Sequence, residues 1–210
     1  MIAYSFSLSG SKPQYTSGVQ KNIDALDRLF PGCTMLVYCP DDIEQYVSDK
    51  RSIIVERVPV EPSKDLACHL WRIQAVCRRE FTHVCVRDID SIVSDREAAA
   101  VRQWLDSDFG YHCMRDHHWH TMHGDVKNPI QGGLWGAMPS RVPDRFEYLL
   151  TWWLARKRPF ARSADCWFLN RFIRPLMLRD GLEHDGCGSH WGGVPFPTPR
   201  VGNEYVGEYA

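Results

Sequence analysis

Apolar residues alternate at the start of the chain. Ile2, Tyr4, Phe6 and Leu8 fall on every second position, which predicts a strand over residues 2–8. Ser9-Gly10-Ser11-Lys12-Pro13 breaks the alternation. The period then lengthens: Val19, Ile23, Leu26 and Leu29 form one stripe, predicting a helix over 15–29 that Pro31-Gly32 ends. An apolar run over 33–39 reads as a second strand, and Asp41-Asp42 is placed to cap a short helix to about residue 48. A third strand follows at 52–58, and Leu66, Leu70, Ile73 and Cys77 predict a helix over 64–79.

Residues 82–86, with the apolar run Val84-Cys85-Val86, read as a short strand buried on both faces, and they run directly into Arg87-Asp88-Ile89-Asp90-Ser91. Asp95 is read as the cap of a helix to about residue 106, and 108–114 as a fifth strand. Beyond 115 the pattern changes. Residues 115–129 are polar and rich in histidine, 130–138 hold Gly132-Gly133-Leu134-Trp135-Gly136, and 144–157 and 164–179 predict helices. From 181 the chain reads as a tail rich in glycine and proline with little regular structure. Strands and helices that alternate in this way predict an α/β fold with a mostly parallel central sheet. Such sheets bind ligands beyond the carboxyl ends of their strands, where residues 87–91 fall.

A chain of 210 residues with 44% hydrophobic and 24% charged residues has the composition of an ordinary globular domain. The formal net charge of −1 supplies no overall field to attract nucleic acid or an anionic membrane. Eight cysteines contain no C-x-x-C pair, and several sit inside apolar runs, as Cys85 does. They read as reduced, packed thiols in a cytoplasmic setting. The first residues lack the basic and apolar regions of a signal peptide, and no stretch has the ~18 apolar residues of a membrane span.

Asp88 and Asp90, separated by one residue just past a buried strand, can converge on a hard divalent cation if the backbone turns. The alternative is a loop of solvated aspartates. No P-loop and no G-x-S-x-G elbow is present. Five histidines fall between 112 and 123, yet their spacing fits no standard zinc site, and the segment reads instead as a loop that closes over a ligand.

The residues around these aspartates resemble a known family. Trp71-Arg72, Arg87 to Ser91, Arg96-Glu97, Ala100-Val101, Trp104, His112, Met114-Arg115-Asp116-His117 and Gly132 to Gly136 are together similar to GT-A-type glycosyltransferase-like proteins of bacteria and viruses. The likeness continues through Asp165, His184-Asp185 and the tail from Phe196 to Gly207. It implies a nucleotide-binding sandwich in one domain: a nucleotide-sugar half over 1–115 and an acceptor half over 116–210. It also implies manganese or magnesium on Asp88 and Asp90, with His184 as a third ligand and His190 the competing position.

The expected donor is a nucleoside-diphosphate sugar, foremost a uridine diphosphate sugar, held by Ser7 to Tyr15, Arg72, Arg87, Asp88, Arg115, Gly132 and Gly133. Trp135 is expected to stack on a sugar ring, and Asp116 and Asp165 are the candidate catalytic carboxylates. The Gly-Gly, Asp165 and His184 layout leans toward a retaining reaction. The acceptor is a saccharide hydroxyl or, alternatively, a hydroxymethylated DNA base, for which Arg156-Lys157-Arg158, Arg162, Arg171 and Arg174 would form a basic strip. Rival readings are a non-catalytic nucleotide-sugar binder and a phosphohydrolase built on Asp88, Asp90, His184 and Asp185.

Overall fold

The computed structural model describes residues 1–10, 12–40, 46, 53–58, 68–123, 126–127, 129–155, 163–189 and 191–209. A seven-stranded sheet forms its centre, built from β1 (Ile2–Ser7), β2 (Thr34–Cys39), β3 (Ile53–Arg57), β4 (His83–Arg87), β5 (Tyr111–Arg115), β8 (Leu134–Ala137) and β9 (Gly181–Asp185). A two-stranded ribbon, β6 (Met122–His123) with β7 (Val126–Lys127), stands apart from it. The strand order is β3-β2-β1-β4-β8-β5-β9. β8 runs antiparallel to both of its neighbours, and every other pairing is parallel.

Two apolar layers cover the sheet. On one face α1 (Pro13–Leu29) and α3 (Asp95–Leu105) bury Val19, Ile23, Leu26, Val101 and Trp104 against Tyr4, Phe6 and Cys85. On the other, a single α-helical turn α2 (Cys68–Trp71), the 3₁₀ segment Arg72–Cys77, α4 (Arg145–Leu154), α5 (Ala164–Phe172) and α6 (Arg174–Asp180) pack on Ala3, Val84, Val86 and Trp135. Side chains alternate across a strand, so neighbouring residues serve opposite layers.

The predicted elements are largely present, with instructive differences. Ser94 caps α3, accepting from the Glu97 N–H, in place of Asp95, which begins the helix. Pro175 divides the predicted helix 164–179: it lacks an N–H and takes the first turn of a new helix, α6, after α5 stops at Phe172. Of the helix over 64–79, residues 68–77 are described, and they wind as one α turn followed by a 3₁₀ segment. The helix expected to residue 48 lies outside the described residues except Tyr46.

Two strands of the central sheet lie where the sequence predicted none, one in 130–138 and one in the tail from 181. β8 lies between β4 and β5, and Gly136 there leaves room for the Trp104 ring, whose nearest atoms would sit 3.0 Å from a Cβ. β9 closes the sheet edge beside β5, with Leu182 and His184 buried on the α3 side. All eight cysteines are free thiols. No described helix is long and apolar enough to cross a membrane.

Candidate active site

β1 and β4 are parallel neighbours, so the segments that follow them emerge on the same side of the sheet. There a cleft of about 410 Å³ opens, lined by Ser7, Ser9 and Lys12 after β1, Asp88 to Asp90 after β4, Gln131 to Gly133 before β8, Cys68, His69 and Arg72 from the α2 region, and Ser163, Asp165 and Cys166 at the start of α5. Tyr15 and Tyr209 complete the lining.

Arg72 organises this cleft. Its backbone is fixed by two serines of β1: the Ser5 hydroxyl donates to the Arg72 carbonyl at 2.8 Å, and the Arg72 N–H donates to the Ser7 hydroxyl at 3.1 Å. Its guanidinium donates to Asp88 Oδ1, to the Arg87 carbonyl at 3.1 Å and to Asp165 Oδ2 at 3.2 Å. Arg72 and Asp165 are both buried. One cation therefore joins the ends of β1 and β4 to α5, and the planar fork of arginine suits the task.

Burial disfavours ionisation of Asp88, but the Arg72 guanidinium outweighs it and holds the carboxyl below its ordinary range. At Asp90 burial acts in the same direction, and the charge of Asp88 adds to it, so its pKa is raised. Of the three carboxylates that line the cleft, Arg72 binds Asp88 and Asp165 and leaves Asp90.

The backbone of this turn is also held from below. Gly18 of α1 lies against it so closely that a Cβ would overlap the Ile89 carbonyl. One turn on, buried Asn22 donates to the carbonyls of Ile89 at 3.1 Å and Ser91 at 3.3 Å and accepts from the Val93 N–H at 3.2 Å. Gly132 and Gly133 are as constrained: a Cβ would fall on Asp165 Oδ2 at the first and on Asp88 Oδ2 at the second. Ser163, just before α5, has φ +77, a left-handed conformation that side chains other than glycine rarely take and that is often found beside functional sites.

The structure brings Ser7, Tyr15, Arg72, Asp88, Asp90, Gly132, Gly133 and Asp165 together. Five other predicted site residues lie elsewhere. Arg87 points to the opposite face, bound to Glu97 and to the carbonyls of Val86 and Trp135, each at 2.8 Å. Trp135 is fully buried in the core. Arg115 is buried on Glu183 at 2.8 Å and the Pro129 carbonyl at 2.9 Å. Asp116 is fully buried, its oxygens taken by Arg96, Arg200 and the Val206 N–H.

His184 lies beneath α3, its ring 2.9 Å from His112 Nε2 and 3.1 Å from Gln103 Oε1 through its two nitrogens. Strand alternation explains the displacement, since His184 shares the face of Leu182 and not the cleft. His184 and Asp185, which holds Ser189 and Arg115, are thus not brought to the aspartates as the phosphohydrolase reading requires. His190 lies outside the described residues, as does the basic strip at 156–158 and 162. Arg174 of that strip is paired with Glu183. His69, Gln131, Tyr209 and Asn22 went unread. Only Asn22 left a signal, a polar residue inside the apolar stripe of α1.

Solved structures with the same architecture include an active-site mutant of LgtC, with a TM-score of 0.51, 14% identity and coverage of 82% of this chain and 70% of that one. A glycosyltransferase involved in glycosylation of the major capsid of PBCV-1 gives 0.53 at 14% identity, covering 88% and 81%. The fold is GT-A-like. The same GT-A-like arrangement is shared with 4-diphosphocytidyl-2C-methyl-D-erythritol synthase from Anaerococcus prevotii, at a TM-score of 0.51 and 9% identity, covering 82% and 84%. No protein-family model and no curated protein matches the sequence.

The residues present suit a divalent cation of the hard, oxygen-seeking kind. Asp88 and Asp90 offer carboxylates, and burial together with the nearby Asp88 charge raises the Asp90 pKa, a penalty that a bound cation would offset. Among the described residues no group of three or more candidate ligands converges on one point, so a cation on the two aspartates would keep positions open to water or to a bound ligand.

Proposed function

We propose that this chain is a metal-dependent glycosyltransferase that moves a sugar from a nucleoside-diphosphate sugar, foremost a uridine diphosphate sugar, to a saccharide hydroxyl. The observation that carries the reading is the pairing of Asp88 and Asp90 at the carboxyl end of β4 with buried Arg72, inside a cleft that Gly132 and Gly133 keep open to backbone approach.

Asp90, with Asp88, would hold manganese or magnesium, which when bound neutralises charge on the departing diphosphate. Arg72 keeps the Asp88 carboxylate ionised and fixed in place, so the site is organised before the ligand arrives. Ser9 and Lys12 lie where β1 gives way to α1 and can meet phosphate or ribose oxygens. Asp165, a catalytic carboxylate in the family resemblance, lines the cleft. Held by Arg72 and by the Cys166 N–H at 2.8 Å, it is suited to orient sugar hydroxyls rather than to withdraw a proton. That assignment favours retention of anomeric configuration, which NMR of the product reads directly. Asp116 and His184, committed elsewhere, have no part in the proposed chemistry.

The test is incubation with a panel of nucleotide sugars, manganese and simple saccharides. Nucleoside diphosphate should be released from one donor and should disappear with chelator and in Asp90→Ala. Release of pyrophosphate from a nucleoside triphosphate, with every nucleotide sugar left intact, would replace glycosyl transfer by nucleotidyl transfer.

A further inference from the structure

Residues 196–209 contain no helix and no strand of the sheets, yet they are anchored along their length. Phe196 is buried against His184, and the Arg96 guanidinium lies 4.2 Å over its ring. Arg200 reaches Asp116 at 3.2 Å, and the Val206 N–H donates to the same carboxylate at 3.0 Å. Between them Tyr205 stacks on His117, with ring centroids 4.3 Å apart. Gly207, at φ +85, turns the chain where a Cβ would lie 2.9 Å from a Leu134 methyl. Two residues on, the backbone of Tyr209 bridges to Ser91, the neighbour of Asp90. The Tyr209 side chain is 70% exposed and lines the cleft.

The arrangement is economical in physical terms. A buried carboxylate is stable only when its oxygens are satisfied, and Asp116 is satisfied by groups from α3 and from this segment. The segment is thereby latched to the sheet, and the bridge to Ser91 fixes the Tyr209 backbone beside the aspartates. A tyrosine ring then projects with few rotatable bonds to immobilise on binding. The centre of the cleft carries charge, in Arg72, Asp88 and Asp90, while tyrosine rings come from two separate elements, Tyr15 of α1 and Tyr209 of the strap. An elongated ligand with a charged middle and flat, partly apolar parts matches that distribution.

We propose that residues 196–209 are a strap whose role is to deliver Tyr209 to the cleft, where its ring packs on the bound nucleoside diphosphate. The identity of the occupant rests on the glycosyltransferase reading; the strap, the latch at Asp116 and the position of Tyr209 do not.

The experiment titrates the full chain with UDP, GDP and CDP, each with manganese, by calorimetry, and follows backbone hydrogen exchange over 205–209. With the nucleotide that binds, Tyr209→Ala should weaken affinity about tenfold, as expected for loss of one stacked ring, and Tyr209→Phe should stay within about twofold. Arg200→Ala, which loosens the latch away from the ring, should weaken binding in the same direction by less. Exchange over 205–209 should slow when the nucleotide binds. Thermal melting of Tyr209→Ala should stay within a few degrees of wild type, because most of the residue's surface is exposed. Wild-type affinity in Tyr209→Ala, or an equal loss in Tyr209→Phe, would overturn the proposal and leave the donor reading intact. If the wild-type chain bound none of the nucleotides, the donor reading itself would fall and the proposed occupant with it.

Discussion

Arg72 is a buried cation whose partners come from three places in the sequence: the Arg87 carbonyl and Asp88 after β4, the two serines of β1, and Asp165 of α5. Removing one partner of a buried ion pair leaves the other charged and unsolvated, which typically costs about 3–5 kcal/mol. Arg72→Ala should therefore lower the unfolding free energy by about that much, because Asp165 is left buried without its cation. Denaturant titration measures it; a loss under ~1 kcal/mol would mean that water replaces the guanidinium. Part of this was legible in the sequence: Arg72 and Asp88 were expected in one site, and Arg72 binds that aspartate. Arg87, Arg115 and Asp116 carry the same chemical types at similar strand ends, yet they are paired with Glu97, with Glu183 and with Arg96 and Arg200. Sequence shows which groups can ionise but not which of them already have partners.

The elements that shape the cleft are short and closely fitted. Gly132 and Gly133 lead into β8, and neither has room for a methyl group without displacing Asp165 or Asp88. Gly132→Ala should break the Arg72–Asp165 contact and destabilise the chain by about 1–3 kcal/mol, as overpacking generally does. Gly136→Ala, on the α3 side of the same strand, should disturb the Trp104 packing and leave nucleotide binding unchanged. Parallel calorimetry and melting of the two variants separates them; equal loss of binding in both would show that β8 acts only as a support. The legibility of these elements followed their periodicity. β1, β4 and α1 were plain because their apolar residues repeat over a full element. β9 was not: Leu182 and His184 alternate over one pair only, between Gly181 and Gly186, and the surrounding glycines and prolines read as a tail. β8 was concealed in the same way, because glycine at 132, 133 and 136 suggests a loop whereas close approach of other groups requires it.

Across the whole molecule, segments far apart in sequence meet at one cleft. The cleft takes residues from Ser7 to Asp90 and from Gln131 to Tyr209, while β9 forms the far edge of the sheet. That edge carries a buried pair of neutral imidazoles. Burial, with Arg96 nearby, lowers His184 to about 4. Burial, with the His184 and Arg87 charges, holds His112 well below its ordinary value. In the unfolded chain both should titrate near ~6.5. Between pH ~6.5 and about 4 the unfolded chain then binds more protons than the folded one, so stability should fall as pH falls through that window. Urea midpoints at several pH values should show this decline, and His184→Gln should flatten it. An unchanged slope in that variant would place the sensitivity elsewhere, for example at His120, which burial also lowers to about 4.

The central claim is that Asp88 and Asp90 hold a divalent cation jointly with a nucleoside diphosphate. Electron paramagnetic resonance of manganese tests it most directly, because the signal of the free aqueous ion disappears when the ion is bound. Titration of the wild-type chain should show one manganese taken up per chain when the matching nucleoside diphosphate is present and weak uptake without it. Asp90→Ala should abolish the uptake while its melting temperature stays at or above that of the wild type. Equal uptake by wild type and Asp90→Ala, or no uptake by wild type with any nucleoside diphosphate, would contradict the account.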